Sequence, residues 1–155
     1  MAALNILRLA DAPQYLDTIA AWNYAEWGKD MGYSLQDSMD WFRTMISCPS
    51  EECVLAEQGG DIIGMASLVD HDLDERPDLV HWLASVYVHP NFRKAGVASA
   101  LIQAVEHEAA MRGITNMYLY TNTAEQLYSR LGWEIFEPFQ RSSEQFTIMR
   151  KDPRG

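Results

Sequence analysis

The chain has 155 residues, of which 48% are apolar, and its 22 acidic and 12 basic side chains give a formal net charge of -10. Five Trp, seven Tyr and five Phe exclude a disordered chain, and no apolar run approaches the roughly 20 residues that span a bilayer. The acidic balance argues against nucleic acid or an anionic membrane as partner, since both need a basic footprint. It suits a cationic small molecule such as an amine, and it also serves solubility alone.

One domain over residues 1–155 is expected at this length. The stretch Met1–Arg8 lacks the charged-then-apolar order of a signal peptide. Cys48 and Cys53, separated by Pro49, Ser50, Glu51 and Glu52, fit reduced thiols better than a disulfide, so the expected compartment is the cytoplasm.

Asn5 to Leu9 is predicted as a first strand. Pro13 suits the first turn of a helix that runs through Leu16, Ile19, Ala20 and Trp22 to about Trp27. Gly28 and Gly32 bracket a loop, and Ser34 with Asp37 forms a capping pair for a second helix bearing Met39, Trp41, Phe42, Met45 and Ile46. Residues 53–57 and 62–69 are predicted strands around Gln58-Gly59-Gly60-Asp61, a hairpin signal. An acidic loop, Asp70 to Asp78, contains Pro77. A long strand over 80–88 leads to a central helix from Gly96 to about Arg112, ended by Gly113, and to a strand over 114–121. A short helix, 124–131, is ended by Gly132, and strands over 133–136 and 145–149 close the sheet. The order β-α-α-β-β-β-α-β-α-β-β, without repeat or linker, describes a single α+β domain.

The most informative segment runs from Val86 to Leu101. An apolar strand stops at Pro90, and a short loop carries Arg93, Lys94 and Gly96 into a helical pattern of Val97, Leu101, Ile102 and Val105. First-turn N–H groups of a helix have no internal partners, and the helix dipole adds positive potential there, so the segment forms an anion cradle. Ala95, Gly96 and Ala98 leave its backbone unobstructed, and residues 86–100 hold two bases and no acid.

Arg93-Lys94-Ala95-Gly96-Val97-Ala98 resembles the Arg/Gln-x-x-Gly-x-Gly/Ala acyl-CoA loop of the GNAT N-acetyltransferase superfamily. Further on, Leu127-Tyr128-Ser129-Arg130-Leu131-Gly132-Trp133 resembles the family's Leu-Tyr-x-x-x-Gly-Phe segment, and both fall on the expected elements. The resemblance implies a GNAT-like fold, a mixed, mostly antiparallel sheet with helices on both faces. It also implies an acetyl-CoA-dependent N-acetyltransferase in which a primary amine attacks the thioester directly in a ternary complex.

Residue by residue, the resemblance implies that N–H groups of residues 94–98 bind the CoA diphosphate, within a cradle of Arg93, Lys94, Ala95, Gly96, Val97, Ala98 and Ser99. Backbone groups of Val86, Tyr87 and Val88 pair with the pantetheine arm, while the Val86 and Val88 side chains fit the core. The Val86 N–H, seven residues before Arg93, donates to the thioester carbonyl and steadies the oxyanion. Tyr128 meets the departing sulfur, as an acid or as a hydrogen-bond donor. Relatives often carry Asn seven residues before this tyrosine; here that position is Thr121, followed by Asn122, and either supplies the contact.

The general base departs from the pattern. Relatives often place a glutamate four residues before the oxyanion donor, a position held here by Trp82, which accepts no proton. The candidates are Glu26, His81, Asp70, Asp72 or a water held by carbonyls. His81 has suitable intrinsic acidity, but in a regular strand it points opposite to Trp82 unless a bulge intervenes. Glu26 ends the first helix, which in this family borders the acceptor cleft; its plain reading is a solvated helix-end charge. Glu26, Trp27, Asp70, Asp72 and Trp82 are the candidate acceptor-contacting residues, although Trp22, Trp27, Trp41 and Trp82 fit the core by spacing.

His71, His89, His107 and the cysteines form no metal-ligand spacing, so no metal is expected. No Gly-x-Ser-x-Gly elbow marks a hydrolase. The alternative from another class is an acyl-CoA-binding regulatory module with no turnover, kept open by the missing glutamate. Protein N-termini or lysines are also compatible acceptors; aminoacyl-tRNA is disfavoured by the charge. The sequence is compatible with a monomer or a homodimer.

Overall fold

The computed structural model describes residues 3–155, so of the Met1–Arg8 stretch Met1 and Ala2 lie outside the described residues. The hairpin predicted at Gln58–Asp61 joins β2 (Glu52–Gln58) to β3 (Asp61–Val69). Gly59 and Gly60 both take positive φ, 64° and 91°, the combination a tight antiparallel turn requires. Around this hairpin the sheet grows by β1 (Leu4–Arg8), β4 (Trp82–Val88), β5 (Met117–Thr121), β6 (Glu134–Arg141) and β7 (Glu144–Lys151). Seven strands among the described residues follow the order β1-β2-β3-β4-β5-β7-β6. Every neighbouring pair is antiparallel except β4 and β5, which are parallel.

Four α-helices among the described residues cover the two faces. On one side α1 (Leu16–Asn23) and α2 (Leu35–Ile46) place Leu16, Ile19, Phe42 and Met45 against Trp82, Tyr118 and Ile148. On the other, α3 (Val97–Met111) and α4 (Glu125–Arg130) place Leu101, Ile102, Val105 and Tyr128 against Leu83, Val88, Met117 and Leu119. The expected cap of α2 forms as a capping box: Asp37 N donates to Ser34 Oγ at 3.0 Å and Ser34 N donates to Asp37 Oδ2 at 2.8 Å. No helix among the described residues is long and apolar enough to cross a membrane.

Several boundaries differ from expectation, among them β5, which starts at Met117 and not at residue 114, and three of the differences have evident local reasons. The first helix is divided into a 3-10 turn at Pro13–Tyr15, α1, and a π-helical turn at Tyr24–Gly28, where Lys29 N donates to Tyr24 O at 2.8 Å. β4 begins at Trp82 rather than residue 80, because His81 sits at φ 78°, outside any strand conformation. β6 runs on through Pro138 to Arg141; it is an edge strand, where the N–H that proline lacks costs no ladder bond.

Candidate active site

The parallel pair β4–β5 is where the sheet opens. Among the described residues the two strands share one register pair, Trp82 with Tyr118, reinforced by Tyr118 N donating to His81 O at 3.0 Å. Beyond that apex they part. On the β3 side, Met65 pairs with Tyr87 and Ser67 with Ala84, so Ser85 and Val86 together oppose Ala66 in a bulge with Ser85 at φ 55°. The bulge switches the parity of β4. Trp82 and Ala84 face α1 and α2, while Val86 and Val88 face α3 and α4. Tyr87 then turns to α1, its ring 5.1 Å from Trp22. The β4 backbone from Ser85 to Val88 is thereby free of a β5 partner, and of its groups Val88 O is taken by the Arg93 side chain.

At the open end, Lys94 and Gly96 take left-handed conformations, φ 66° and 81°, and Gly96 opens α3 with no side chain capping its first turn. Donors left unpaired at a helix start suit a diphosphate. Arg93 takes a different part from a free phosphate ligand: its Nε donates to Val88 O at 2.8 Å and its guanidinium lies 5.6 Å from the Tyr87 ring centroid, pinning the loop to the strand end. Lys94 is exposed. Close approach of α3 depends on Gly64, where a Cβ would stand 2.9 Å from both Leu101 Cδ1 and Tyr87 O. An isolated glycine within a strand is the sequence signal for such an approach.

Tyr128 lies on the α3–α4 side with Val86, Val88 and Val97, so the structure brings these expected site residues together. Burial pushes its phenol up to about 12, which leaves it neutral, a proton-bearing donor throughout the physiological range. Its surroundings are rigid. Trp133 stacks edge-on at 6.3 Å and its Nε1 donates to Glu106 Oε2 at 3.1 Å; Lys151 Nζ donates to Glu106 Oε1 at 2.6 Å and to Leu131 O at 2.7 Å. Thr121 Oγ1 accepts from Ala124 N at 3.0 Å, capping the turn into α4, and Asn122 Nδ2 donates to Glu144 Oε2 at 2.9 Å. Both expected cofactor-contacting side chains thus hold partners within the chain.

The opposite side of the opening has two walls. One is α1 with its π turn: Asn23 accepts from Ser85 Oγ at 3.4 Å and donates to Ser38 Oγ at 3.3 Å, tying the bulge to α2. Glu26 is exposed on this wall and Trp27 is half-buried. The other wall is the acidic loop after β3, folded up the sheet. Arg141 Nε and Nη2 donate to Glu75 at 3.0 and 2.9 Å, and Arg76 Nη1 pairs with Glu137 at 2.6 Å, fastening the loop to β6. Beneath the strap Arg141 lies over the Tyr120 ring at 5.8 Å, and burial raises the Tyr120 hydroxyl above the ordinary tyrosine value. Asp72 interacts electrostatically with both. Although the residue keeps some solvent contact, burial pushes its carboxyl up to about 7, with Arg141 opposing and Asp74 adding to the rise.

Several expected contacts fall elsewhere. Trp82 is fully buried and its Nε1 donates to Leu79 O at 2.9 Å, so it supports the apex instead of lining an acceptor pocket. The bulge falls after Ala84 and leaves His81 behind the apex, in an open depression of about 590 Å³ with Pro49, Ser50, Arg112 and Asn116. Asp70 lies at the same closed end: it accepts from Ser50 Oγ at 2.8 Å, and its carboxylate, that of Glu51 and the Cys48 thiol lie within 4.8 Å of one another. Sequence reasoning did not single out Asn23, Gly64, Tyr120 or Arg141.

A model of the acetyltransferase (GNAT) domain matches residues 49–135, more than half of the chain and all of the segment from the acidic loop through Tyr128. The chain belongs to the GNAT acetyltransferase family. No curated protein sequence matches significantly. Among solved structures it is similar to an aminoglycoside 6'-N-acetyltransferase complexed with coenzyme A (17% identity, TM-score 0.76, 96% of this chain and 97% of that one). It is also similar to a putative acetyltransferase from Acinetobacter baylyi (15%, TM-score 0.77, 98% and 94%). A third is a spermidine N-acetyltransferase chimera that includes Vibrio cholerae sequence (15%, TM-score 0.71, 97% and 96%).

Proposed function

We propose that this chain moves an acetyl group from acetyl-CoA to a primary amine by direct attack in a ternary complex. The observation that carries the reading is the parted β4–β5 pair, flanked on one side by the uncapped start of α3 and by Tyr128. The N–H groups of residues 94–98 hold the diphosphate, with Lys94 adding charge. The β4 backbone from Val86 to Val88, which has no strand partner on its β5 side, holds the extended arm, apart from Val88 O, which Arg93 occupies. The amine enters from the side of α1 and the acidic loop.

In the reaction an ammonium first loses a proton, freeing its lone pair for the thioester carbon. The Val86 N–H donates to the oxygen as it gains charge. As the C–S bond breaks, Tyr128 donates to the sulfur; with its phenol held near 12, hydrogen bonding to the thiolate outweighs full proton transfer. The second amine proton passes to the thiolate as the amide forms. Cys53 is buried and Cys48 lies at the closed end, so neither is placed to carry the acetyl group covalently.

The aminoglycoside and spermidine acetyltransferases among the structural neighbours act on polycationic amines, and the acidic wall around Asp72 and Glu75 suits an acceptor of that charge. Release of the CoA thiol from acetyl-CoA, followed across polyamines, aminoglycosides, amino acids and peptides, tests the reading. Transfer to at least one cationic amine is expected. Tight acetyl-CoA binding with no thiol release across the panel would overturn it in favour of a binding module without turnover.

A further inference from the structure

We propose that Asp72 is the general base of this acetyltransferase, receiving the proton of the acceptor ammonium, and that Arg141 and Glu75 are positioning residues that hold it at the opening. The proposal rests on the acetyltransferase reading above and names the residue that the buried Trp82 leaves missing.

Place comes first. Tyr120 lies two residues beyond the Trp82–Tyr118 apex, on the opened part of β5, with its ring 6.2 Å from that of Trp82. It therefore faces away from Tyr128, toward the side left for the acceptor. Asp72 lies near enough to Tyr120 and Arg141 to act electrostatically on both. The other carboxylates and the imidazole are less well placed: Glu26 is exposed, Asp70 is bound to Ser50 at the closed end, and His81 sits behind the apex.

Rigidity comes second. The neighbouring Leu73 is buried in the core with Trp82 and Tyr118, and Leu79 O accepts from the Trp82 indole, so the loop is anchored on both sides of the segment that holds Asp72. Its crest is fastened by the two-bond Arg141–Glu75 pair and by Arg76–Glu137. Among the described residues no side chain donates a hydrogen bond to the Asp72 carboxylate, so its lone pairs are left for a ligand. The charged and titratable groups around it are Asp74 and Glu75 of the loop, Tyr120 of β5 and Arg141 of β6. Burial is the largest influence and brings it to about 7, where a carboxylate both accepts a proton and releases it to solvent.

The step balances simply. The ammonium N–H bond breaks, the proton goes to an Asp72 oxygen, and the freed pair forms the new C–N bond. The thioester carbon expels the sulfur with its electron pair, the nitrogen's second proton ends on that sulfur, and Asp72 returns its proton to water.

The test measures kcat/KM against pH for the wild-type chain, Asp72→Asn, Arg141→Gln and Arg141→Lys, using the amine that best supports CoA release in the panel. Acetyl-CoA affinity is followed alongside. For the wild type, activity should rise to a plateau with a midpoint near 7. Asp72→Asn should lose 10²- to 10⁴-fold in kcat, keep its acetyl-CoA affinity, and rise with pH toward the amine's own pKa. Arg141→Gln removes the cation that holds the carboxyl down, so its midpoint should move upward, and Arg141→Lys should restore it. A carboxyl-carbon NMR titration, with Asp72→Asn identifying the signal, should give a midpoint near 7 without any acceptor. Asp72→Asn within threefold of wild type, an unchanged pH profile, or an Asp72 midpoint below 5 overturns the proposal while leaving the acetyltransferase reading in place. Absence of transfer by the wild type with every amine overturns that reading instead.

Discussion

Replacing Lys151 by Met tests whether the buried polar strut behind Tyr128 is what fixes α4 against α3. The Lys151 side chain is 15% exposed and that of Glu106 9%, and the ammonium lies 2.6 Å from the carboxylate. Methionine fills the space of the stem but leaves Glu106 with one neutral donor, the Trp133 indole, and leaves Leu131 O without its 2.7 Å partner. Removing one member of a buried pair costs about 3–5 kcal/mol, because the surviving charge stays desolvated. At about 2–4 °C per kcal/mol for a chain of this size, the melting temperature should fall by roughly 10 °C. Urea titration and calorimetry at pH 7 measure this directly. The double variant Glu106→Gln/Lys151→Met removes the orphaned charge while keeping an acceptor for Trp133, so it should recover at least half of the loss. Trp133 packs on Tyr128 and Leu131 ends its helix, so kcat should fall in the single variant more than acetyl-CoA affinity does. A single variant melting within 2 °C of wild type, or a double variant no more stable than the single, refutes the reasoning.

Gly64→Ala places a Cβ 2.9 Å from a side chain of α3 and from the Tyr87 carbonyl, and the backbone atom cannot yield; about 1–3 kcal/mol of stability and a measurable share of acetyl-CoA affinity should be lost. An unchanged melt and an unchanged calorimetric Kd would contradict the close approach. Tyr128→Phe should lower kcat with little change in acetyl-CoA affinity, and unaltered turnover removes its catalytic role. Asp72 keeps its proton in the folded state up to about 7, whereas an unfolded aspartate loses it near 3.8, so the wild type should lose stability as pH rises between those values. Asp72→Asn should therefore be the more stable protein at pH 8, by up to about 4 kcal/mol, and equal to wild type below pH 4; a gap in urea midpoints that does not change with pH excludes that ionisation. Burial pushes the Cys53 thiol up to about 12 while Cys48 is partly accessible, so a thiol reagent should modify one cysteine in the native protein and the second only after denaturation.

The donor half of the site was legible in the sequence because its physics is local. A strand stop, a left-handed glycine and a helix start fall within the segment from Val86 to Leu101, and the Ser34–Asp37 cap and the Gly59-Gly60 turn follow the same short-range rules. The edge strand β6 was cut short at residue 136 because Pro138 carries a breaker signal that holds for central strands and lapses at an edge. The bulge at Ser85 has no such marker: no glycine or proline falls within Trp82–Val88, and only the pairing with β3 reveals that two residues oppose one. That single inserted residue decides which side chains meet the acceptor side, moving Val86 and Val88 to the face opposite Trp82 and Ala84.

The acceptor half depends on partners far apart in the chain. Arg141 and Glu75 are separated by 66 residues, and each taken alone is an ordinary surface charge. Their pairing turns a loop that composition describes as a solvated acidic tract into a fixed wall, and it converts Asp72 from one acid among many into a carboxyl withdrawn from water beside Tyr120. The buried Trp82 fits the same logic. A strand position filled by a buried indole cannot hold a base, but the indole donates to the loop's Leu79 carbonyl and helps seat that loop, so Trp82 also supports the proposed base.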